Sequence, residues 1–149
     1  MSSEIQNLEP KEVWQIFDEM LQIPRPSKYE EKIQDWAVNY GKKLGLETVK
    51  DDAGNVIIRK PATSGMENRK DVILQGHLDM VPQKNSDKQH DFLTDPIEAY
   101  KDEDWVKANG TTLGADNGIG VSSALAVLTS DNLIHGPLEV LLTATEETG

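Results

Sequence analysis

The spacing of apolar residues changes period several times along the chain, and each change marks an expected element. Val13, Ile16, Phe17, Met20 and Leu21 recur at helical spacing behind Pro10, and IPRPS ends the pattern, which predicts a first helix. Ile33, Trp36, Ala37, Tyr40 and Leu44 give a second apolar face that closes near Gly45, and Ser27 and Glu30 stand ahead of it at the spacing of a capping box. ETVKDDAGNVIIRK then reads as a hairpin with Asp52, Gly54 and Asn55 in the turn. TSGMENRK is a polar connector. A compact apolar strand follows in DVILQGHLDMV, then a polar loop from Pro82 to Asp95 and a second hairpin, IEAYKDEDWVKA, turning at Lys101 to Asp104. The glycine-rich GTTLGADNGIG feeds an apolar helix, VSSALAVL, and PLEVLLTAT is a final strand. Helices and strands alternate and several strands lack a polar face. This predicts an α/β fold with a mostly parallel sheet flanked by helices on both sides. The pattern contains no internal repeat and no domain boundary.

Composition narrows the chemistry. The 149 residues carry a formal net charge of −11, which argues against a nucleic-acid backbone or an anionic membrane surface as partner and makes a cation the more natural guest. No Cys is present, so disulfides and thiolate ligands are ruled out, and a metal site must be built from His, Asp and Glu. MSSEIQNLEPKEVW is acidic where a secretion signal would be basic and then apolar, and no stretch is long enough to span a bilayer. A cytoplasmic location is the resulting expectation.

Three places can carry chemistry, and all three fall where a strand or turn delivers side chains to a sheet edge, as sites in open α/β sheets do. In GHLDM, His77 and Asp79 are two apart on extended backbone and point to the same side, so the carboxylate can fix the imidazole for a metal or a proton. Alone, H-x-D is common by chance and reads more plainly as a loop cap. In LGADNGIG, Asp116 sits among Gly114, Gly118 and Gly120 before a helix. That acid would repel a phosphate, and neither nucleotide-loop pattern is present, which leaves a cation ligand or a helix cap. In LTATEETG, Glu146 and Glu147 follow an apolar strand. Two desolvated carboxylates need a cation beside them, and a metal on one leaves the other free as a general base; two solvated glutamates at a loop are the alternative. Elsewhere, His90 and His135 lie in turn-rich contexts, DED at 102 to 104 is a hairpin tip, Trp14, Trp36 and Trp105 read as core or half-buried packing, and Ser122 and Ser123 lack a nucleophile turn.

In this order GHLDMVPQKN, DPIEAY, WVKANGTTLGADNGIGVSSALAVL and TATEETG resemble the two-metal peptidase family M20, typified by aminoacylase and carboxypeptidase G, and within it the enzymes that cleave Xaa-His dipeptides. The resemblance implies that His77 ligates one zinc, Asp116 bridges two, Glu147 ligates the second, Asp79 orients His77 and Glu146 is the general base; cobalt or manganese could replace zinc. It also implies a cis peptide between Asp116 and Asn117. Further ligands and a lid domain of the family lie beyond the residues present. The implied reading is therefore residues 1–149 as the N-terminal part of the catalytic domain, truncated and inactive alone, of a homodimer acting on small dipeptides. The rival from another class is a metal-binding or scaffolding protein that kept the fold and lost the chemistry. Asp79 and Glu146, which would ligate no metal, speak against it. A nucleotide-binding α/β domain is a weaker rival because of the acidic glycine turn.

Overall fold

A computed structural model describes residues 3–149. After a 3-10 turn at Glu4–Asn7 come helices α1 (Lys11–Leu21) and α2 (Glu31–Lys43), strands β1 (Glu47–Lys50), β2 (Val56–Lys60), β3 (Val72–His77), β4 (Ala99–Asp102) and β5 (Trp105–Ala108), helix α3 (Ala115–Thr129), strand β6 (Leu138–Thr143) and a 3-10 turn at Glu146–Thr148. Both expected hairpins form, β1 with β2 and β4 with β5, each antiparallel.

The α/β class is as expected, but the sheet is mixed. Its order is β1-β2-β6-β3, with β3 and β6 parallel and the other two pairs antiparallel. The hairpin is the reason: once β2 pairs antiparallel with β6, both of β2's neighbours oppose it. Among the described residues, the helices lie on one side of the sheet. Val56 and Ile58 of β2 and Leu138, Val140 and Leu142 of β6 point to one face, where they form one core with Ile16 and Met20 of α1, Ile33 and Ala37 of α2, and Val121, Ala124, Leu125 and Leu128 of α3. Each fully buried Leu, Ile or Val there contributes about 1.5–3 kcal/mol by leaving water. The alternate residues face away from the helices; Ile73 is 59% exposed. A second cluster, Ile5, Phe17, Leu21, Met80 and Ile97, fastens the β4–β5 side to α1.

Two local expectations also change. Ser27 and Glu30 do not form a capping box: Glu30 is the N-cap residue of α2, and no side chain caps that helix. Trp14 and Trp36 are half-buried, but Trp105 is 70% exposed on β5. Among the described residues no helix is long and apolar enough to cross a membrane.

Candidate metal centre

The parallel pair β3–β6 decides where the site lies. Its ladder ends on His77 opposite Thr143, so both strands release their following residues at one edge of the sheet. From β3 come His77, 7% exposed, and Asp79, fully buried; from β6 comes the 3-10 turn with Glu146 and Glu147. The third contribution is Asp116, at the start of α3. There Gly114 adopts a φ of 75°, the left-handed region that a side chain disfavours, and the Asp116–Asn117 peptide is cis, as the resemblance implied.

His77 is the hub. Its Nε2 lies 2.9 Å from Asp116 Oδ1 and 3.8 Å from both Glu146 Oε2 and Glu147 Oε1. Its Nδ1 is 3.0 Å from the Asp79 carbonyl and 3.2 Å from Asp79 Oδ1. Burial pushes the imidazole towards its neutral form, but the hydrogen bond with Asp116, the Asp79 carbonyl and the charges of Asp79 and Glu146 outweigh it and raise its pKa above the ordinary value.

Asp79 has more partners than an orienting role needs. Its Oδ1 accepts the Glu146 N–H at 3.0 Å, and its Oδ2 accepts the Glu147 N–H at 3.1 Å and the Ser27 hydroxyl at 2.6 Å. Burial opposes ionisation, yet these donors and His77 hold its carboxyl below the usual carboxylate range. The same two N–H bonds explain how Glu146 and Glu147 stand side by side. Glu146 keeps 57% of its side chain in solvent, Glu147 keeps 21%, and their backbone is anchored on a buried acid.

One ligand atom each from His77, Asp116 and Glu147 can be chosen so that all lie within 4.8 Å of one another. An imidazole nitrogen with carboxylate oxygens is a donor set suited to a divalent ion such as zinc, so these residues fit the implied metal. Glu146 stands beside the set. All five residues singled out in the sequence thus meet at one sheet edge. His90 and His135 are elsewhere, the first edge-on to Phe92, the second with Nδ1 against the Gly136 carbonyl. Ser122 bonds the Gly118 carbonyl inside α3, and Asp102 pairs with Lys107 at the hairpin.

The sequence reading missed three residues around the site. Arg25, Ser27 and Glu30, between α1 and α2, reach Gly114, Asp79 and Thr145 respectively. Burial lowers the pKa of Arg25 to about 10 while Asp79 opposes the shift, so it stays cationic at neutral pH. The only sequence signal was the polar RPSKYE between two apolar helices, which hydrophobic periodicity cannot interpret.

No family model matches the chain. The chain is 59% identical over 147 residues to the cytosol non-specific dipeptidase of Escherichia coli (strain K12), covering 99% of this chain and 30% of that protein. The crystal structure of aminoacylhistidine dipeptidase from Vibrio alginolyticus superimposes with a TM-score of 0.96 at 56% identity, again over 99% of this chain and 30% of the other. A Staphylococcus aureus tripeptidase, 23% identical with a TM-score of 0.75, shares the fold over 95% of this chain and 38% of its own. The chain spans about 30% of the length of its two more similar relatives, and in sequence and fold it resembles that portion of an aminoacylhistidine dipeptidase.

Proposed function

We propose that the chain is the N-terminal part of the catalytic domain of a two-metal dipeptidase acting on Xaa-His and related dipeptides. The observation that carries this reading is the convergence of His77, Asp116 and Glu147 from three separate segments, with their donor atoms within 4.8 Å and Glu146 alongside. His77 with Asp116 would hold one divalent ion, and Glu147 with Asp116 the other. Bound there, zinc supplies Lewis-acid polarisation of the scissile carbonyl and makes water more acidic.

The remaining steps belong to side chains of this chain. Glu146 is the most exposed carboxylate of the turn and is left free of the ligand set. Its Oε2 takes a proton from the attacking water and returns it to the leaving amine. Asp79 fixes the imidazole through Nδ1, which leaves Nε2 facing Asp116 and the two glutamates. Its bonds to the N–H groups of Glu146 and Glu147 also fix the base relative to the ligands. Glu146 is outside the ligand set, so fixing it through its N–H serves catalysis and adds nothing to metal binding alone. The location and assembly of the whole protein belong to the same proposal: cytosolic, as the name of the E. coli relative has it, and homodimeric through a lid domain outside these residues.

Glu146→Gln in the protein expressed from its complete reading frame tests the assignment. Turnover should fall by about 10²–10⁴-fold, while zinc content measured by atomic absorption stays at the wild-type level. Wild-type turnover at full zinc occupancy would remove Glu146 from the mechanism.

A further inference from the structure

The ligand-bearing segments are not held together by the sheet alone. Beyond the last ladder pair, His77 with Thr143, no strand register controls the Gly114–Asp116 turn or the Thr145–Thr148 turn. The segment Arg25–Glu30, RPSKYE, reaches both of them and the end of β3 as well. Arg25, 1% exposed, donates Nη1 to the Leu78 carbonyl at 3.0 Å and Nη2 to the Gly114 carbonyl at 2.7 Å. Leu78 follows His77, and Gly114 stands two residues before Asp116. Ser27 donates its hydroxyl to Asp79, on the oxygen that also accepts the Glu147 N–H. Glu30, 3% exposed, accepts from the backbone N–H and the hydroxyl of Thr145, whose φ of 58° sets the turn immediately before Glu146. Backbone bonds between Met80 N–H and the Arg25 carbonyl, and between Ser27 N–H and the Met80 carbonyl, fasten the segment to the strand exit.

A buried arginine or glutamate needs partners wherever it lies, so satisfied burial alone would explain a single contact. It does not explain why three side chains of one six-residue segment each meet a neighbour of a different ligand and none meets a ligand. Gly114 and Gly118 fit the same picture: a Cβ there would stand 2.6 and 2.8 Å from Arg25 Nη2, so the turn is shaped around the guanidinium.

We propose that RPSKYE is a positioning segment that sets the relative placement of the His77, Asp116 and Glu147 segments, and through it the affinity and geometry of the metal centre. This inference rests on the metal-site reading above. The planar fork of Arg25 joins two carbonyls from two segments, which a lysine ammonium, a point charge on a flexible stem, does not reproduce. Ser27 and Glu30 fasten the acid and the turn that present Glu146 and Glu147.

The test uses Arg25→Lys, Ser27→Ala and Glu30→Ala in the protein from its complete reading frame. Folding of the metal-free forms is followed by circular dichroism, zinc affinity by calorimetry, and site geometry by the visible absorption of the cobalt(II) form. The expected result is a folded protein with zinc affinity lowered about 10–100-fold, as for other outer partners of ligands, and a displaced cobalt spectrum. Ser27→Thr, which keeps the hydroxyl, should restore both. Unchanged zinc affinity and an unchanged cobalt spectrum in the folded variants, whatever their melting temperatures, would overturn the proposal. If Arg25→Lys does not fold, Ser27→Ala and Glu30→Ala decide the matter. A wild-type protein that binds neither metal would overturn the metal-site reading itself, and the inference with it.

Discussion

At the scale of single residues, His77 is where the site's electrostatics can be read. Its raised pKa means that in the metal-free protein it gains a proton more readily than a free imidazole does, because Asp116, Asp79 and Glu146 stabilise the cation against the cost of burial. A raised folded-state pKa contributes stability that is fully present below the unfolded value, about 6.5, and is lost as pH rises through the folded value. The melting temperature of the metal-free protein should therefore fall as pH rises from about 6 through that range. Zinc requires Nε2 unprotonated, so zinc affinity should rise over the same interval. Calorimetric titrations from about one unit below to about two units above the ordinary imidazole value check both slopes, and a pH-independent zinc affinity would show that Nε2 is not a ligand.

The residue scale was also the most legible in the sequence. His77 and Asp79 end an apolar strand, Asp116 sits in a glycine-rich turn, and Glu146 and Glu147 follow a second apolar strand; each place alone also has a plainer reading, and it is their joint resemblance to a known family that sets them apart. Arg25 and Glu30 did not stand out, because their partners are a carbonyl of a glycine turn and a threonine N–H far away in sequence. Nothing local in RPSKYE announces them. The capping-box reading failed for the same reason: Ser27 and Glu30 have the local spacing of a cap, but the site offers their side chains better partners than the N–H groups of α2.

At the scale of elements, helix α3 is packed closely against α1 and the Arg25 segment. Gly118 lies in its first turns, where a Cβ would come 2.7 Å from Phe17 Cε2 and 2.8 Å from Arg25 Nη2. Both neighbours are essentially fully buried and have nowhere to move. Gly118→Ala should destabilise the fold by about 1–3 kcal/mol through overpacking, although alanine is the better helix former by about 1 kcal/mol. Urea unfolding measures it; an unchanged or raised midpoint would mean that α1 and α3 can separate freely. Element positions followed well from periodicity, because hairpin and helix patterns are local. Sheet order did not. The insertion of β2 between β1 and β6, which makes the sheet mixed, is a long-range pairing that no run of residues encodes by itself.

At the scale of the whole molecule, the helices cover one face of the sheet and β3 stands at its edge, with Val72 47% and Ile73 59% exposed. The apolar strands that suggested cover on both sides were read correctly as apolar, but among the described residues the second layer is absent. With His77, Asp116 and Glu147 as the gathered donors, each of two ions would have one private and one shared ligand, short of the three protein ligands typical of catalytic zinc. Residues 1–149 expressed alone should thus show no measurable hydrolysis of β-alanyl-histidine with added zinc, manganese or cobalt, whereas the protein from the complete reading frame should hydrolyse it. Equal rates would mean that these residues contain every ligand the reaction needs.

The most direct measurement is a metal titration of the complete protein. It is stripped with chelator and its hydrolysis of an Xaa-His dipeptide is followed as zinc is returned. The account predicts no turnover in the stripped protein and full recovery as occupancy reaches two ions per chain. Turnover that survives complete metal removal, or a protein that binds two zinc ions and hydrolyses no dipeptide, would contradict it.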